Sequence, residues 1–286
     1  MRNFLASRLP DLRKEKAMIN KIYRNVAEQM KGDVKYQPLF ERIYYAAIFA
    51  MNCGKGNVIE FSGELYVLNY VKEKLKAYST EPLVIFDVGA NIGEYSLSVI
   101  NVFKDSLRIF AFEPSKYTCK SLKQNLKAWG INNVEICNFG LGDINSQIFL
   151  YSGEKGSKVA SIYKESLERW NFCENQEEII TIKTLDDFCD EKDINNIHFL
   201  KIDVEGHELK VLEGASRMLN SDKIQFIQFE FGPCNIDSRT YFRDFFYMLN
   251  DKYKIYRVVK NGIYPIEKYK EMYETFYVTN YLAEHR

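Results

Sequence analysis

The chain has no excess of either charge: 39 Lys and Arg stand against 39 Asp and Glu, and no long block of one sign occurs. Binding driven mainly by phosphate neutralisation is not indicated, and no nucleic-acid partner is expected. The sequence also lacks any C-x-x-C pair. Its six cysteines, Cys53, Cys119, Cys137, Cys173, Cys189 and Cys234, are scattered and none clusters with His. They read as reduced thiols, neither a disulfide framework nor a zinc site, and no metal site is expected from spacing. Long apolar runs are missing too. The most apolar window, Ile43 to Met51, is far shorter than the roughly 20 residues needed to cross a bilayer. The opening M-R-N-F-L-A-S-R-L-P-D-L-R-K-E-K is too densely charged for a secretory h-region, so the expectation is a cytoplasmic chain with no transmembrane segment.

What is present is an ordinary globular composition, 286 residues of which 46% are hydrophobic, enough for a substantial core. The organising stretch is Val84 to Leu97, V-I-F-D-V-G-A-N-I-G-E-Y-S-L. Val84, Ile85 and Phe86 read as a strand buried on both faces of a parallel sheet. Gly89 and Gly93 then allow a tight turn, and Ile92, Tyr95, Ser96 and Val99 supply the face of a following helix. Free N–H groups at such a helix start suit a ligand with an anionic group. The spacing departs from the dinucleotide fingerprint G-x-G-x-x-G, because Ala90 and Asn91 fill the gap and no third glycine follows.

Ahead of this stretch, Leu12, Ile19, Ile22, Tyr23, Val26 and Met30 recur near helical spacing up to Gly32, and Pro38 to Met51 forms a second candidate helix. An extended piece over Val58 to Phe61 and a helix from Glu64 to Tyr78 complete an N-terminal accessory region, residues 1–80. A homo-oligomer, if one forms, would use these helices. Beyond residue 81, strand and helix alternate. Strands are expected at Arg108 to Phe112, Val134 to Cys137, His198 to Asp203 and Ile224 to Phe231, with closing strands at Tyr253 to Val259 and Thr275 to Tyr281. Ser115 can cap a helix whose inner face is Cys119, Leu122 and Leu126 and which ends at Gly130. Phe139 to Asp143 reads as a turn. Residues 147–184 break the rhythm and read as an inserted hairpin or lid. Repeated βα units imply a doubly wound α/β sheet.

Ligands of such sheets sit beyond the carboxyl ends of the strands. Asp87, Glu113, Asp203 and Glu230 all fall at such ends, and acids there are costly to bury unless paired. Together they argue for a ligand rich in hydroxyl and amino groups, with Glu113 placed to accept from both hydroxyls of a ribose.

The stretches F-D-V-G-A-N-I-G-E-Y-S, F-E-P-S and L-K-I-D-V-E-G-H-E-L-K-V-L-E-G-A, in this order, resemble the FkbM-type S-adenosylmethionine-dependent methyltransferases from about Leu83 to the C-terminus. The resemblance implies a Rossmann-like class I methyltransferase fold, a seven-stranded, mostly parallel sheet with its last strand antiparallel. It implies S-adenosyl-L-methionine as cofactor and O-methylation of a small-molecule acceptor, a sugar or nucleotide-sugar. Carried over by position, Asp87, Gly89, Ala90, Asn91, Gly93 and Ser96 would hold the methionine part. Glu113 would hold the ribose, with Pro114 and Ser115 shaping that wall, and Asn138, Phe139 and Gly140 would border the adenine. Asp203 would face the sulfonium and the acceptor.

A hydroxyl acceptor gains from a general base, and His207 is the only histidine near a strand end. Glu205, Glu208 and Glu230 are alternatives for that role, or for holding a hard divalent ion. Aromatic residues between Tyr151 and Phe172 are candidates for an acceptor wall. Two other functional classes stay open: a nicotinamide-dependent oxidoreductase on the same kind of sheet, and a non-catalytic scaffold that keeps a cofactor fold. RNA methylation is a third, for which the charge balance offers no basic stripe.

Overall fold

The computed structural model describes residues 28–54, 59–76, 82–104, 107–157, 160–169 and 176–286. The chain divides between Ala50 and Met51 into two compact units, where the sequence suggested a border near residue 80. In the first unit the described helix is α1 (Gln37–Ala50). Its Leu39, Ile43, Tyr44, Tyr45 and Phe49 are exposed. The expected helix over Leu12 to Met30 lies, up to residue 27, outside the described residues.

The second unit begins with a short helical turn, Ile59–Ser62, where an extended piece was expected, and with α2 (Glu64–Leu75). Then come β1 (Leu83–Val88), α3 (Glu94–Phe103), β2 (Leu107–Phe112), α4 (Lys116–Ala128) and β3 (Val134–Cys137). After these follow β4 (Gly140–Leu141), β5 (Ser146–Ser152), β6 (Ala160–Ser161) and β7 (Gln176–Lys183). The last stretch comprises α5 (Leu185–Glu191), β8 (Ile197–Ile202), α6 (Glu208–Glu213), β9 (Ile224–Phe231), α7 (Phe242–Leu249), β10 (Tyr253–Val259), β11 (Gly262–Ile266) and β12 (Thr279–His285).

The main sheet has eight strands in the order β11-β10-β12-β9-β8-β1-β2-β3, one more than the seven expected. The extra strand is β11, which returns antiparallel along β10 through the turn at Lys260 and Asn261. The closing strand β12 is antiparallel to both β9 and β10. It starts four residues later than Thr275, because the pattern Thr279 to Ala283, rather than the Phe276 and Tyr277 aromatics, is what the core buries. The α/β class and its mostly parallel core hold.

The alternation of side chains along each strand builds the two faces. Phe86, Phe110 and Phe112 point one way and meet Phe188 of α5, with ring centroids 5.0–5.7 Å apart. Full burial of each such ring contributes roughly 1.5–3 kcal/mol. Ile85, Ile109 and Phe199 point the other way, against Val67, Leu68, Val71 and Leu75 of α2 and Val99 and Phe103 of α3. Helix α2 therefore packs on the main sheet and brings its first residue, Glu64, to the sheet's rim.

The inserted stretch folds as a second sheet in the order β4-β7-β5-β6, with β5 and β7 antiparallel. Gly140–Leu141, expected as a turn, is its parallel edge strand on β7. Among the described residues no helix is long and apolar enough to cross a membrane.

Candidate active site

Strand order reverses between β1 and β8, and a cavity of about 480 Å³ opens beyond the carboxyl ends of β1, β2 and β8. Such crevices are where open α/β sheets bind ligands. Its roof comes from the second sheet, through Leu141, Leu150, Ala160, Ile162, Ile180 and Ile182. This wall is aliphatic where the sequence suggested aromatics; Trp170 and Phe172 lie outside the described residues.

The glycine turn is built for close approach. The N–H groups of Gly89 and Ala90 both donate to the Phe112 carbonyl, at 3.0 and 2.9 Å, and that of Asn91 donates to Glu113 Oε2 at 3.0 Å. These three donors of the turn are engaged within the fold. Gly89 has φ +83, and a Cβ there would stand 1.8 Å from the Asp203 carbonyl oxygen. Gly93, at φ +92, packs against Leu122 of α4 instead of lining the cavity. Ser96 does not line it either: its Oγ donates to Asp87 Oδ2 at 2.5 Å, a strut between β1 and α3. Burial raises the Asp87 carboxyl to about 6, against the Ser96 hydrogen bond and the Lys201 charge.

At the end of β2, Glu113 lines the cavity with both oxygens held. Oε1 accepts from Ser115 N at 2.9 Å and Oε2 from Asn91 N at 3.0 Å. Burial outweighs these bonds and raises the group to about 7. Pro114 lines the same wall, whereas Ser115 is buried behind it, capping α4 through Thr118 N. Glu178 of β7 accepts from Ser115 Oγ and Lys116 N, both at 2.8 Å, and so clasps the second sheet to this wall. Asn138 and Phe139 do not reach the cavity. Asn138 Nδ2 donates to the carbonyls of Glu113 and Pro114, and Phe139 packs edge-on into the Phe112–Phe188 cluster. Gly140 does line it.

The other end is a polar band in register across three strands: Asp87 opposes Lys201, and Lys201 opposes Gln228. Lys201 is 2% exposed, with Nζ 3.0 Å from Asp203 Oδ2 and 3.5 Å from Glu64 Oε1. Burial works against its charge, but Asp203, Glu64 and Glu230 outweigh it and hold the ammonium above the usual lysine range. Glu64 is held in turn by Ser62 Oγ at 2.9 Å and Gln228 Nε2 at 2.9 Å, and Tyr95 donates to Gln228 Oε1 at 3.0 Å. Glu64, Tyr95 and Lys201 line the cavity and were missed from the sequence. A lysine inside the buried strand H-F-L-K-I-D was the available signal, since it demands a counter-ion. Glu64 had none.

Beyond β8, the turn at Val204 to His207 closes the site. Glu208, 1% exposed, takes the N–H groups of Val204 and Gly206 on Oε1, both at 3.1 Å. Between them Glu205 stands at φ 53 and lines the cavity. His207 lines it as well, with Nδ1 3.2 Å from the Tyr163 hydroxyl. Burial lowers the imidazole to about 4, so it is neutral near pH 7. Glu230 does not line the cavity. Burial, then the charges of Asp203 and Glu205, raise it well above its ordinary value. Among the described residues no group of His, Cys, Asp and Glu is arranged to hold a metal ion.

The lining as a whole carries six acids, Glu64, Asp87, Glu94, Glu113, Asp203 and Glu205, against one lysine. Residues 87–256 match the family model for the methyltransferase FkbM domain. The chain belongs to the FkbM methyltransferase family. That match spans the glycine turn, Glu113, the second sheet and the β8 turn, while Glu64 lies outside it.

Two curated relatives are similar to this FkbM-family chain. Methyltransferase 1 of Beauveria bassiana is 28% identical over 156 residues, 49% of this chain and 62% of that protein. The hexuronic acid methyltransferase AglP of Haloferax volcanii is 27% identical over 210 residues, 70% of this chain and 77% of that protein. The chain thus spans less than two thirds of the first of these relatives. Among solved structures, the methyltransferase FkbM of Methylobacillus flagellatus aligns with TM-score 0.45 at 18% identity, over 71% of this chain and 43% of that one.

Proposed function

We propose that this FkbM-family protein transfers the methyl group of S-adenosyl-L-methionine to a hydroxyl of a sugar in nucleotide-linked or glycan-precursor form, with hexuronic acids as the first class to test. When bound, the cofactor supplies a methyl group on a positively charged sulfur. The observation that carries the reading is the charge of the cavity: six acids and one lysine favour the positively charged sulfur of the cofactor, while the glycine turn lacks the spacing a nicotinamide dinucleotide requires.

The residues present fit the cofactor. Glu113 has one backbone N–H on each oxygen, which leaves a carboxylate with two further lone-pair sites, the number a ribose diol requires. Asp203, with its side chain 40% exposed and anchored by Lys201, would hold a cationic group at the opposite end. Pro114 and Gly140 would form the narrow wall between. The aliphatic roof from β5 and β7 would shield a bound ligand from water and so strengthen the charge interactions beneath it. The sugar assignment draws on the hexuronic acid methyltransferase relative and on the abundance of carboxylate acceptors for hydroxyl donors.

Calorimetric titration with S-adenosylhomocysteine and with NAD tests the cofactor, and methyl transfer from labelled S-adenosylmethionine to UDP-glucuronic acid and neutral nucleotide sugars tests the acceptor. Binding of the former alone and label in a sugar product are expected. NAD binding, or cofactor binding with no transfer across the panel, would count against the reading.

A further inference from the structure

Resting on that reading, we infer that Glu205 is the catalytic base that takes the acceptor's hydroxyl proton. The turn that carries it is held from four sides. Glu208 fixes the N–H groups on either side of it. Gly206, at φ +104, packs so closely that a Cβ would lie 2.7 Å from the Cys234 carbonyl oxygen. Ser161 Oγ of β6 donates to the Glu205 carbonyl at 3.0 Å, and the Cys234 thiol donates to Glu205 Oε2 at 3.1 Å. A non-glycine residue at φ 53 persists only where its surroundings over-determine it. Glu205 Oε1 accepts no hydrogen bond among the described residues, and the side chain lines the cavity. This is the disposition of a group kept ready for a ligand's proton.

Of the other titratable groups around it, Asp203 holds the Lys201 ammonium through Oδ2, Glu208 holds the turn, His207 Nδ1 meets the Tyr163 hydroxyl, and Glu230 does not line the cavity. Burial, then the charge of Asp203 and that of Glu208, raise Glu205 to about 7, against the Cys234 hydrogen bond and Lys201. A base tuned near the working pH is the most effective kind. Burial keeps Cys234 a thiol, so it donates. In the step, the acceptor O–H bond breaks and its proton passes to Glu205 Oε1. The oxygen's electron pair forms the bond to the methyl carbon, and the carbon–sulfur pair returns to sulfur, leaving neutral S-adenosylhomocysteine. The proton then leaves Glu205 for solvent.

Glu205→Gln tests this, with turnover measured on UDP-glucuronic acid. Turnover should fall by about 10²–10⁴-fold with S-adenosylhomocysteine affinity retained, and the acid limb of the rate profile near pH 7 should vanish. Cys234→Ala, which removes a donor to the carboxylate, should move that limb to higher pH, and Cys234→Ser should restore it. Carbon-13 spectra of labelled glutamate carboxyls read the same group without turnover: a titration near 7 should disappear in Glu205→Gln and move up in Cys234→Ala. Turnover in Glu205→Gln within threefold of the parent, an unmoved limb in Cys234→Ala, or an alkali-labile methyl ester as product would overturn the assignment, since a carboxylate acceptor has no proton to give up. Failure of the unaltered protein to methylate any sugar strikes at the proposed function; an active parent with an equally active Glu205→Gln strikes only at the base.

Discussion

Gly89 and Asp203 touch backbone to backbone: a Cβ on Gly89 would lie 1.8 Å from the Asp203 carbonyl oxygen. Two strand ends that are adjacent in the sheet are thereby locked into one rim, with the β1 turn supporting the acid that ends β8. Gly89→Ala should therefore separate them. Gly130, at φ +71 with nothing within 4 Å of its added Cβ, supplies the control, because there only the left-handed backbone costs, about 1–2 kcal/mol. Thermal unfolding of both variants should show a larger loss for Gly89→Ala, together with lost S-adenosylhomocysteine binding; equal losses would mean that the contact with Asp203 is immaterial.

Glu113 presents a carboxylate to the cavity while steadying Asn91 and Ser115. Glu113→Ala should weaken S-adenosylhomocysteine binding by about 1.5–3 kcal/mol, roughly tenfold to a hundredfold. Glu113→Gln, which keeps one acceptor oxygen, should fall between. Titration calorimetry decides, and undiminished affinity in the alanine variant would exclude the ribose role.

Lys201 is the buried counter-ion of Asp203 and Glu64. Lys201→Met leaves those acids unpaired and should destabilise the fold by about 3–5 kcal/mol. Adding Glu64→Gln should recover part of the loss, because one of the stranded charges is then gone. Denaturant unfolding of the single and double variants measures the coupling, and strictly additive losses would rule it out.

The raised acids also make stability depend on pH. Folding lifts Asp87 to about 6 and Glu113, Glu205 and Glu208 to about 7, in each case chiefly by burial. The folded state therefore binds more protons than the unfolded chain between about pH 4.5 and about pH 7, and this contribution is present in acid and lost as pH rises through about 7. His207, lowered to about 4 by burial, acts oppositely below about pH 6.5, as one group against several raised acids. The Tm of the ligand-free protein should fall between about pH 5.5 and about pH 7.5, and the Tm increase given by cationic S-adenosylmethionine should grow over the same interval. A ligand shift independent of pH would show that these acids do not sense the cofactor's charge.

His207 is neutral and holds Tyr163. His207→Ala should lower turnover on UDP-glucuronic acid far less than Glu205→Gln does and leave the acid limb in place. A drop equal to that of Glu205→Gln, with the limb removed, would return the base role to the imidazole.

Much of this was legible along the chain. The apolar run Val84 to Phe86, the glycines at 89 and 93, the cap at Ser115 and the acid after each strand are local signals, since strand burial, left-handed turns and capping depend on near neighbours. They located β1, α4, Asp87, Glu113 and Asp203, and the three motifs pointed to the family. The family resemblance also carried Gly93 and Ser96 onto the ligand, and neither lines the cavity: Gly93 packs against Leu122 and Ser96 bonds Asp87.

The amino-acid order alone thus determined the alternating strands and helices, the family and the acids at the strand tips. Only the tertiary structure decided that Glu64 reaches Lys201 from the start of α2, that Glu178 clasps the second sheet to the Ser115 wall, and that Glu205 rather than Glu230 faces the cavity. The reason is physical: each of these depends on the packing of segments remote in sequence, and a charge's role follows from the partners and the water that packing leaves it.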